Sequence, residues 1–447
     1  MNELPIDFTE QMRGLLDENE YKAFLQSANE EPFRGLRINT LKCTAEKVCR
    51  FLPFLTERSP FCSESYYLPQ SVKSIGDSPF HHAGAFYVQE PSASAAVSIL
   101  DVQPDDKVLD LCAAPGGKST QIAAALSSTG LLWCNEIVKS RAMILLSNVE
   151  RMGVSNAVVS SCHPDILCNS LYGFFDKVLV DAPCSGEGMF RKDPAAIAEW
   201  SSEHSRSCAV RQTAVLGSAC KALKDGGTLV YSTCTFSAYE NENVITAFLE
   251  RHPEFELADC GVSFGKRALQ KAVRILPQHG GEGHFVAKLI KKGALINDTE
   301  YINGNNSVFP EKNIAFSLYD EIYTKRIFGE VLAKTGDKIL LLPKVQLPPL
   351  SGLGVIRAGL LLGEVKKNRI EPCHALFMAG RKEYLNNYVD FGYDSDTVRQ
   401  YLHGEEIEIG GNVKGYTAVL CEGISTGFGK ASGGVLKNRY PKGLRSK

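Results

Sequence analysis

The sequence predicts an α/β protein whose central part is a doubly wound, parallel sheet. Short β-branched runs alternate with helical segments from about residue 96 to residue 292, and this alternation is typical of parallel strands joined by crossover helices. The first predicted strand runs directly into a glycine-rich turn, as ligand-binding sheets of this class do. A chain of 447 residues, 44% of them hydrophobic, has enough apolar material for about three domains.

The predicted elements of the central sheet follow one another at regular intervals. Apolar runs of four to seven residues predict strands, and longer segments with helical periodicity predict the helices between them. The predicted strands are Val108–Leu111, Leu131–Cys134, Ala157–Ser161, Lys177–Val180, Thr228–Tyr231 and His284–Ile290. The predicted helices are Lys118–Leu126, Lys139–Met152, Ser202–Leu223 and one that begins after Glu240.

The regions on either side of this sheet differ from it in their pattern of apolar, polar and turn-forming residues. Residues 1–95 alternate short helical stretches with turns and predict an N-terminal module, and residues 96–292 form the sheet domain. The polar stretch Gly293–Asn306 predicts a linker or exposed loop. Beyond it, short apolar runs rich in glycine predict two small β-containing modules, at 310–378 and 382–447.

Composition and charge exclude several classes of protein. The formal net charge of −2 excludes a strongly basic coat protein, although local charge can still bind nucleic acid. No apolar run is long enough to span a membrane, and the N-terminus does not resemble a secretory signal. The 14 cysteines include no Cys-x-x-Cys pair, so no metal site is predicted. Reduced thiols in a cytoplasmic protein fit best.

The turn after the first strand predicts a nucleoside ligand. It runs Cys112-Ala113-Ala114-Pro115-Gly116-Gly117-Lys118, and its glycines allow the backbone to approach a ligand closely. A phosphate-binding loop, and with it an ATPase, is excluded because Cys112 stands where that loop needs glycine. Glu136, at the end of the next strand, is spaced to bind a ribose diol. Without a phosphate cradle, S-adenosyl-L-methionine fits better than a dinucleotide.

Two cysteines follow the ends of the fourth and fifth predicted strands. Asp181 and Cys184 come after one strand, and Cys234 comes after the other. In a doubly wound sheet these strands are neighbours beside the first, so both thiols are expected to face the crevice at the glycine turn. A single free cysteine is usually a small buried apolar group. Two thiols in polar loops at the ligand-facing edge are harder to explain by packing.

Cytosine chemistry gives a reason for two thiols. Carbon-5 of cytosine is a poor nucleophile, and addition of a thiolate to carbon-6 activates it to accept a methyl group. The adduct must then lose the carbon-5 proton and expel the thiolate, a step that a second thiol or a base assists. Asp181 can hold the ring nitrogen and the exocyclic amine. The residues alone do not decide whether Cys184 or Cys234 attacks, because DNA cytosine methyltransferases use the Pro-Cys thiol.

At these motifs the chain resembles the Sun-type family of RNA (cytosine-5) methyltransferases, and within it the bacterial small-subunit ribosomal RNA methyltransferase F type. The resemblance covers nearly the whole chain and rests on several segments in order. The matching segments are Arg37–Lys42, Asp110–Lys118, Asp181–Gly186, Gly186–Pro194, Ser232–Thr235, Gly283–Ala287 and Leu436–Arg445. There are two departures from the family pattern: His284 in place of phenylalanine, and Phe428 where tryptophan is expected.

The resemblance implies a fold, a cofactor, a partner and a role for each site residue. It implies a Rossmann-like methyltransferase sheet, an N-terminal α+β RNA-binding module and a PUA-like RNA-binding module at 382–447. Cys234 is expected to attack carbon-6 and Cys184 to assist release of the product. Residues Cys112 to Lys118 with Glu136, Asp165 and Asp181 are expected to bind S-adenosyl-L-methionine. The implied partner is ribosomal RNA, free or in a partly assembled small subunit.

Several cations are predicted to hold the RNA while one cytosine is extruded from its stack. They are Arg34, Arg37, Lys42 and the tail residues Lys430, Lys437, Arg439, Lys442, Arg445 and Lys447. Arg141, Asn148 and Arg151, at helical spacing, are interpreted as a solvated face. Two alternative functions are a transfer-RNA cytosine-5 methyltransferase and a ribosome-assembly factor that binds RNA without catalysis.

Overall fold

The computed structural model describes residues 4–294, 309–367 and 369–446, and the strands in those ranges form four sheets. Most of the predicted linker, residues 295–306, and the tail residue Lys447 lie outside the described residues. No helix in the described part of the chain is long and apolar enough to cross a membrane.

The N-terminal module is a small three-stranded antiparallel sheet with short helices. The helices are α1 (Ile6–Leu15), α2 (Glu18–Ala28), α3 (Ala45–Phe51) and α4 (Pro79–His82). The strands are β1 (Gly35–Ile38), β2 (Ser65–Tyr67) and β3 (Phe86–Val88), in the order β2-β1-β3. Asp17 begins α2 with a capping box that also uses Glu20. The first two helices bury Phe8 and Phe24 against Phe236, beside the crevice described below.

The central sheet confirms the predicted doubly wound α/β class. Its parallel strands are β4 (Lys107–Asp110), β5 (Leu131–Asn135), β6 (Ala157–Ser160), β7 (Phe175–Asp181) and β8 (Leu223–Thr233), in the order β6-β5-β4-β7-β8. The helices that cover it are α5 (Ala95–Leu100), α6 (Gly117–Leu126), α7 (Lys139–Arg151), α8 (Pro164–Ser170), α9 (Pro194–Glu199), α10 (Ser202–Ala222) and α11 (Glu242–Arg251). Because β5 and β7 flank β4, the strand order reverses there, and a crevice opens at the carboxyl ends of the strands.

Short antiparallel strands extend this sheet beyond β8. They are β9 (Phe255–Ala258), β10 (Lys266–Ala268), β11 (Ala272–Ile275) and β12 (His284–Lys291). The last predicted strand is present, but β12 runs antiparallel to β8 because it enters through a hairpin from β11. Strands β9 to β11 were not predicted, since runs of three or four residues carry little periodic signal.

The segment between 309 and 379 builds its own sheet and also completes the central one. It contains α12 (Lys312–Ile322), β13 (Leu332–Thr335), β14 (Lys338–Leu341), β15 (Val355–Ala358), β16 (Leu360–Lys366), β17 (Arg369–Pro372) and α13 (His374–Met378). Strands β13, β14, β16 and β17 form a four-stranded antiparallel sheet. Strand β15 instead pairs with β6, so this segment is joined to the central sheet by backbone hydrogen bonds.

The last segment folds into a five-stranded sheet. It contains β18 (Tyr388–Phe391), α14 (Asp396–His403), β19 (Ile407–Glu408), β20 (Gly415–Cys421), β21 (Ile424–Ser432) and β22 (Val435–Asn438), in the strand order β18-β20-β21-β22-β19. Phe428, where tryptophan was expected, is buried and stacks on Phe377 with ring centroids 4.2 Å apart. The side chain at this position therefore joins two segments of the core and presents no ring to a nucleotide.

Candidate active site

The crevice at the carboxyl ends of β4, β5, β7 and β8 encloses a cavity of about 910 Å³. Its walls bring together most of the residues that the sequence predicted for the site. Those in the cavity wall are Cys112, Ala114, Glu136, Asp165, Asp181, Cys184 and Cys234. Of the remaining predicted residues, Ala113, Pro115, Gly116 and Gly117 form the turn behind this wall, and Lys118 reaches Asp181 from the first turn of α6.

The two predicted thiols are in contact. The Sγ atoms of Cys184 and Cys234 lie 3.1 Å apart, and the backbone N–H of Cys234 points at the Cys184 sulfur from 3.4 Å. The hydrogen bond with Cys234, burial and the charges of Cys234 and Glu240 raise the pKa of Cys184 well above its usual value. Both side chains are partly exposed in the cavity wall.

Asp181 is held on both of its oxygens at the end of β7. Lys118 Nζ lies 2.8 Å from Oδ2, and Ser232 Oγ donates to Oδ1 at 2.8 Å. Although burial opposes the charge on Lys118, the negative charge of Asp181 and its hydrogen bond raise the pKa of this lysine, and Cys234 adds to that effect. The carboxylate therefore has a fixed orientation beside the two sulfurs.

The glycine turn depends on a close approach between α6 and α7. Gly116 has φ +115°, which disfavours any side chain, and a Cβ there would also crowd Leu145 Cδ1 at 3.2 Å. Asn148 Nδ2 donates to the carbonyl of Pro115 at 2.9 Å, and Arg141 donates to that of Ala114 at 3.1 Å.

The interpretation of one α7 face as solvated holds for Arg141, whose side chain is exposed, and was wrong for Asn148 and Arg151. Arg151, on the same face, donates to the His81 carbonyl at 3.0 Å and lies over the Tyr87 ring. These side chains hold the turn and the N-terminal module instead.

Two further acids, Glu136 and Asp165, lie in the cavity wall, and a third, Asp110, lies outside it. Glu136 is buried at the end of β5, where Oε1 accepts from the Val138 N–H at 2.9 Å. Asp165 pairs with Lys221 at 2.9 Å on the exposed rim. Asp110, which the sequence analysis named only as part of a motif, is fully buried beneath the turn and accepts from Ser119 Oγ at 2.6 Å. Burial raises the pKa of Asp110 to about 7.

Two buried carboxylates, Glu187 and Glu240, cross-link the two cysteine loops, and neither was predicted as a site residue. Glu240 Oε2 accepts from the Ser185 N–H at 3.0 Å, next to Cys184. Glu187 Oε2 accepts from the Phe236 N–H at 2.8 Å, two residues after Cys234. Glu187 lies in the matching segment Gly186–Pro194, which implied no role for it, and Glu240 lies in none of the matching segments. A further sequence signal is that the acids occur three and six residues after the cysteines.

The cations of the N-terminal module that were predicted to bind phosphate are engaged within the protein. Arg37 is 2% exposed and donates to the Gly117 carbonyl and to Thr120 Oγ1, both at 2.8 Å. Lys42 donates to the Ala83 carbonyl at 2.6 Å, and Arg34 to that of Val72 at 2.6 Å. The prediction of a phosphate contact was wrong for Arg37, because the Gly117 carbonyl and the Thr120 hydroxyl of the central domain already bind its guanidinium.

The cationic C-terminal segment keeps most of its charges on the outside, and among its described cations Arg445 is half-buried. Tyr440 is buried against His82 and Tyr401, which fixes the course of the chain. The side chains that remain exposed are Lys430, Lys437, Arg439 and Lys442. Among the described residues, no group of three His, Cys, Asp or Glu side chains is arranged to hold a metal ion.

Four family models match consecutive parts of the chain. Residues 97–290 match the 16S rRNA methyltransferase RsmB/F, and residues 4–91 match the N-terminal domain of 16S rRNA methyltransferase RsmF. Residues 319–379 match the RsmF rRNA methyltransferase first C-terminal domain, and residues 388–446 match the methyltransferase RsmF PUA domain.

Similar proteins extend over nearly the full length. Ribosomal RNA small subunit methyltransferase F of Shewanella piezotolerans is 32% identical, with 94% of this chain and 92% of the relative aligned. The protein of the same name from Vibrio vulnificus is also 32% identical, over 99% and 97%. A methyltransferase homologue from Pyrococcus horikoshii superposes with TM-score 0.57 and 29% identity over 64% of this chain and 94% of that one. NSun6 from the same organism shares the fold, with TM-score 0.59 and 24% identity over 65% and 99%.

Proposed function

The chain belongs to the RsmB/F family of 16S rRNA methyltransferases, and from this we propose that it methylates carbon-5 of a cytosine in small-subunit ribosomal RNA, with S-adenosyl-L-methionine as methyl donor. The observation that carries the proposal is the contact between Cys184 and Cys234, 3.1 Å apart, beside the fixed carboxylate of Asp181 in the wall of a ligand-sized cavity.

The residues of the cavity fit S-adenosyl-L-methionine. Glu136, at the end of β5, is the group for the ribose diol, and the apolar side chains of Ile137 and Val138 beside it suit the adenine ring. We assign the cofactor site to the Cys112–Lys118 turn with Glu136, Asp165 and Asp181. When bound, the cofactor supplies an electrophilic methyl group.

Cys234 is the proposed nucleophile. Its thiolate adds to carbon-6 of the cytosine, and the electron pair of the 5,6 double bond becomes available at carbon-5, which takes the methyl group. Asp181 holds the base through the ring nitrogen and exocyclic amine. Release then breaks the carbon-5–hydrogen bond and the carbon-6–sulfur bond, so that the double bond reforms and Cys234 departs with the electron pair.

The different surroundings of the two thiols support this assignment. The raised pKa of Cys184 disfavours its thiolate, and a neutral thiol is a poor nucleophile. Cys234 lies on the side of the pair where Lys118 carries a positive charge. Cys184 is therefore assigned to assist release of the product.

Ribosomal RNA is proposed as the substrate, free or in a partly assembled small subunit, which implies a cytoplasmic location. The matches to RsmF-specific modules on both sides of the catalytic domain support this substrate. The exposed cations Lys430, Lys437, Arg439 and Lys442 are suited to phosphate contacts, which supply much of the affinity for RNA.

Alanine variants of the two cysteines test the mechanism. Cys184→Ala is expected to accumulate a covalent protein–RNA adduct, visible as a slowly migrating band in denaturing gels, because attack proceeds while release is impaired. Cys234→Ala is expected to form no adduct and no product. An adduct with Cys234→Ala instead would reverse the assignment of the two thiols.

Bisulfite sequencing of ribosomal and transfer RNA from a deletion strain tests the substrate. Loss of methylation in 16S rRNA, restored by the wild-type gene and not by Cys234→Ala, is the expected result. Loss confined to transfer RNA would move the protein to that substrate. Loss at no cytosine would favour an assembly factor without catalysis.

A further inference from the structure

The two cysteine loops hold each other through a reciprocal pair of buried carboxylates. Glu240 follows Cys234 in sequence but accepts from the N–H of Ser185 in the other loop, and Glu187 follows Cys184 but accepts from the N–H of Phe236. The loops approach so closely that the Gly188 N–H donates to the Cys234 carbonyl at 2.9 Å. A Cβ on Gly188 would come within 3.0 Å of the same oxygen.

Glu240 is the more central of these two acids. It is fully buried, and it accepts from Ser205 Oγ and Gln212 Nε2, both at 2.8 Å, as well as from Ser185. Gln212 also donates to the Pro183 carbonyl at 3.0 Å. The residues immediately before and after Cys184 are therefore both tied to this carboxylate.

Two sulfurs 3.1 Å apart cannot both be thiolates, because like charges at that separation strongly disfavour double ionisation. The charged groups on the two sides of the pair differ. The buried carboxylate of Glu240 lies behind Cys184, whereas Lys118, paired with Asp181, lies near Cys234. A negative charge disfavours the thiolate beside it and a positive charge favours it.

We propose that Glu240 is a positioning residue that keeps Cys184 protonated and aimed at Cys234, so that Cys234 is the sulfur that ionises. This inference rests on the proposed cytosine-5 methyl transfer and adds a division of roles between its two thiols. The Cys184 S–H then donates a hydrogen bond to the Cys234 thiolate and stabilises it.

The same proton has a use in product release. As the carbon-6–sulfur bond breaks, the electron pair stays on Cys234, and Cys184 transfers its proton to that sulfur across the 3.1 Å contact. Cys184, now a thiolate, accepts the proton lost from carbon-5, whose bonding electrons reform the 5,6 double bond. The products are 5-methylcytosine and two neutral thiols, and Cys234 returns its proton to solvent before the next cycle.

Other titratable groups also face the pair and must be considered in any pH profile. They are Asp181 and Lys118 on the base side, Tyr231 beneath Cys184 and Glu240, and Cys112 and Arg211 in the cavity wall. Burial holds the pKa values of Tyr231 and Cys112 well above their usual ranges, so neither titrates near neutral pH. Lys118 and Asp181 are unchanged in the two variants compared below, Glu240→Gln and Glu187→Gln, and affect the thiols of both in the same way.

Alkylation of the free protein tests the proposal without RNA. Wild type and Glu240→Gln are treated with iodoacetamide over a range of pH, and the rates at Cys184 and Cys234 are read by peptide mass spectrometry. In wild type, Cys234 is expected to react at lower pH than Cys184. In Glu240→Gln the ratio of Cys184 to Cys234 alkylation is expected to rise by about tenfold near neutral pH, which is the effect of one pKa unit on a thiolate fraction.

Glu187→Gln is the matched control, because it removes the other buried carboxylate of the same pair of loops. It is expected to loosen both loops and change both rates together, leaving their ratio within about twofold of wild type. Glu240→Asp keeps the charge and is expected to restore the wild-type ratio.

Two results would overturn the proposal. One is an unchanged ratio in Glu240→Gln, or an equal change in Glu187→Gln. The other is a wild-type protein in which Cys184 reacts at lower pH than Cys234. This result does not depend on whether any variant folds. Failure of the proposed cytosine-5 methyl transfer would be distinguished separately, because the wild-type protein would then leave ribosomal RNA unmethylated whatever its alkylation pattern.

Discussion

The crevice of the candidate active site and the seam between the N-terminal module and the central sheet differ in how well the sequence predicted the environment of their residues. We define the seam by Arg37, Lys42 and Arg151. In the crevice, Asp181 and Cys234 line one cavity as their positions after strands predicted. In the seam, the Arg37 and Lys42 side chains point into the protein and bind carbonyl oxygens.

The difference between the two regions has a geometric cause in the crevice and a chemical cause in the seam. A residue that follows a parallel strand lies at the carboxyl edge of the sheet, whatever its side chain. A cation in a short basic stretch has no such constraint, and its long apolar stem allows it to satisfy buried carbonyls as readily as phosphates. Position relative to a strand end is therefore stronger evidence of function than charge alone.

The largest expected effect belongs to the crevice. Asp181→Asn removes the charge that is proposed to hold the base and weakens the pairing with Lys118, so methyl transfer is expected to fall by about 10²–10³-fold. The unfolding free energy is also expected to fall, by about 1–3 kcal/mol, because the buried ammonium of Lys118 loses its counter-charge, so methyl transfer is compared in the folded variant. Single-turnover transfer of labelled methyl groups and chemical denaturation measure the two quantities.

Asp176→Asn gives a control on the same strand. Asp176 lies near the opposite end of β7, where it accepts from Lys224 Nζ at 2.6 Å and from the Lys107 N–H at 2.7 Å. Methyl transfer by the folded variant is expected to remain within about twofold of wild type. Equal losses in the two variants would mean that the carboxyl edge of the sheet has no special role.

Substitutions in the seam are expected to lower the stability of the protein. Arg37→Met leaves the Gly117 carbonyl and Thr120 Oγ1 without their buried donor, and the unfolding free energy is expected to fall by about 3 kcal/mol. Arg34→Met, which loses one bond to Val72 from a half-buried position, is expected to cost about 1 kcal/mol. Denaturant titrations of both variants measure the difference.

RNA binding separates the two interpretations of Arg37. If its role is internal, the dependence of RNA affinity on salt stays the same in folded Arg37→Met. If it binds a phosphate, the slope of log affinity against log salt decreases by about one. A lower slope with unchanged stability would contradict the assignment of Arg37 to the seam.

The parallel part of the central sheet was predictable because each of the strands β4 to β8 contains a run of apolar residues. Strands β4 to β8 were each located from such runs, and the direction of β12 was not, since a strand sequence does not encode its orientation. The pairing of β15 with β6 was also beyond prediction, because it joins residues about 200 positions apart.

The site was predictable only where chemistry and strand ends coincide. The two thiols and Asp181 met that condition. Glu187 and Glu240 did not, because their importance lies in backbone N–H groups of a distant loop rather than in a motif. Asn148 was misinterpreted for a related reason: its partner, the Pro115 carbonyl, exists only after α6 and α7 have packed.

A smaller effect than that of Arg37→Met is expected at Asp110, which lies beneath the glycine turn and is as buried as Arg37 in the seam. Burial raises its pKa to about 7, above the ordinary aspartate value. Between about pH 4 and about pH 7 the folded protein therefore holds a proton that the unfolded chain has lost, and this group lowers the unfolding free energy as pH rises. Asp110→Asn lacks this titration, so its stability relative to wild type should increase by about 2 kcal/mol between about pH 5 and about pH 7.

Ser119→Ala sharpens this last test because it acts on the same carboxyl group. Ser119 Oγ donates to Asp110 Oδ2 and lowers the pKa that burial raises. Without that donor the ionised form loses its hydrogen bond, so the pH window in which the stabilities of wild type and Asp110→Asn diverge should move to higher pH. Denaturant midpoints at several pH values would follow the shift. If the stability difference between wild type and Asp110→Asn does not change with pH, Asp110 is ionised in the folded protein. It would then need a charged partner, as Asp181 has in Lys118.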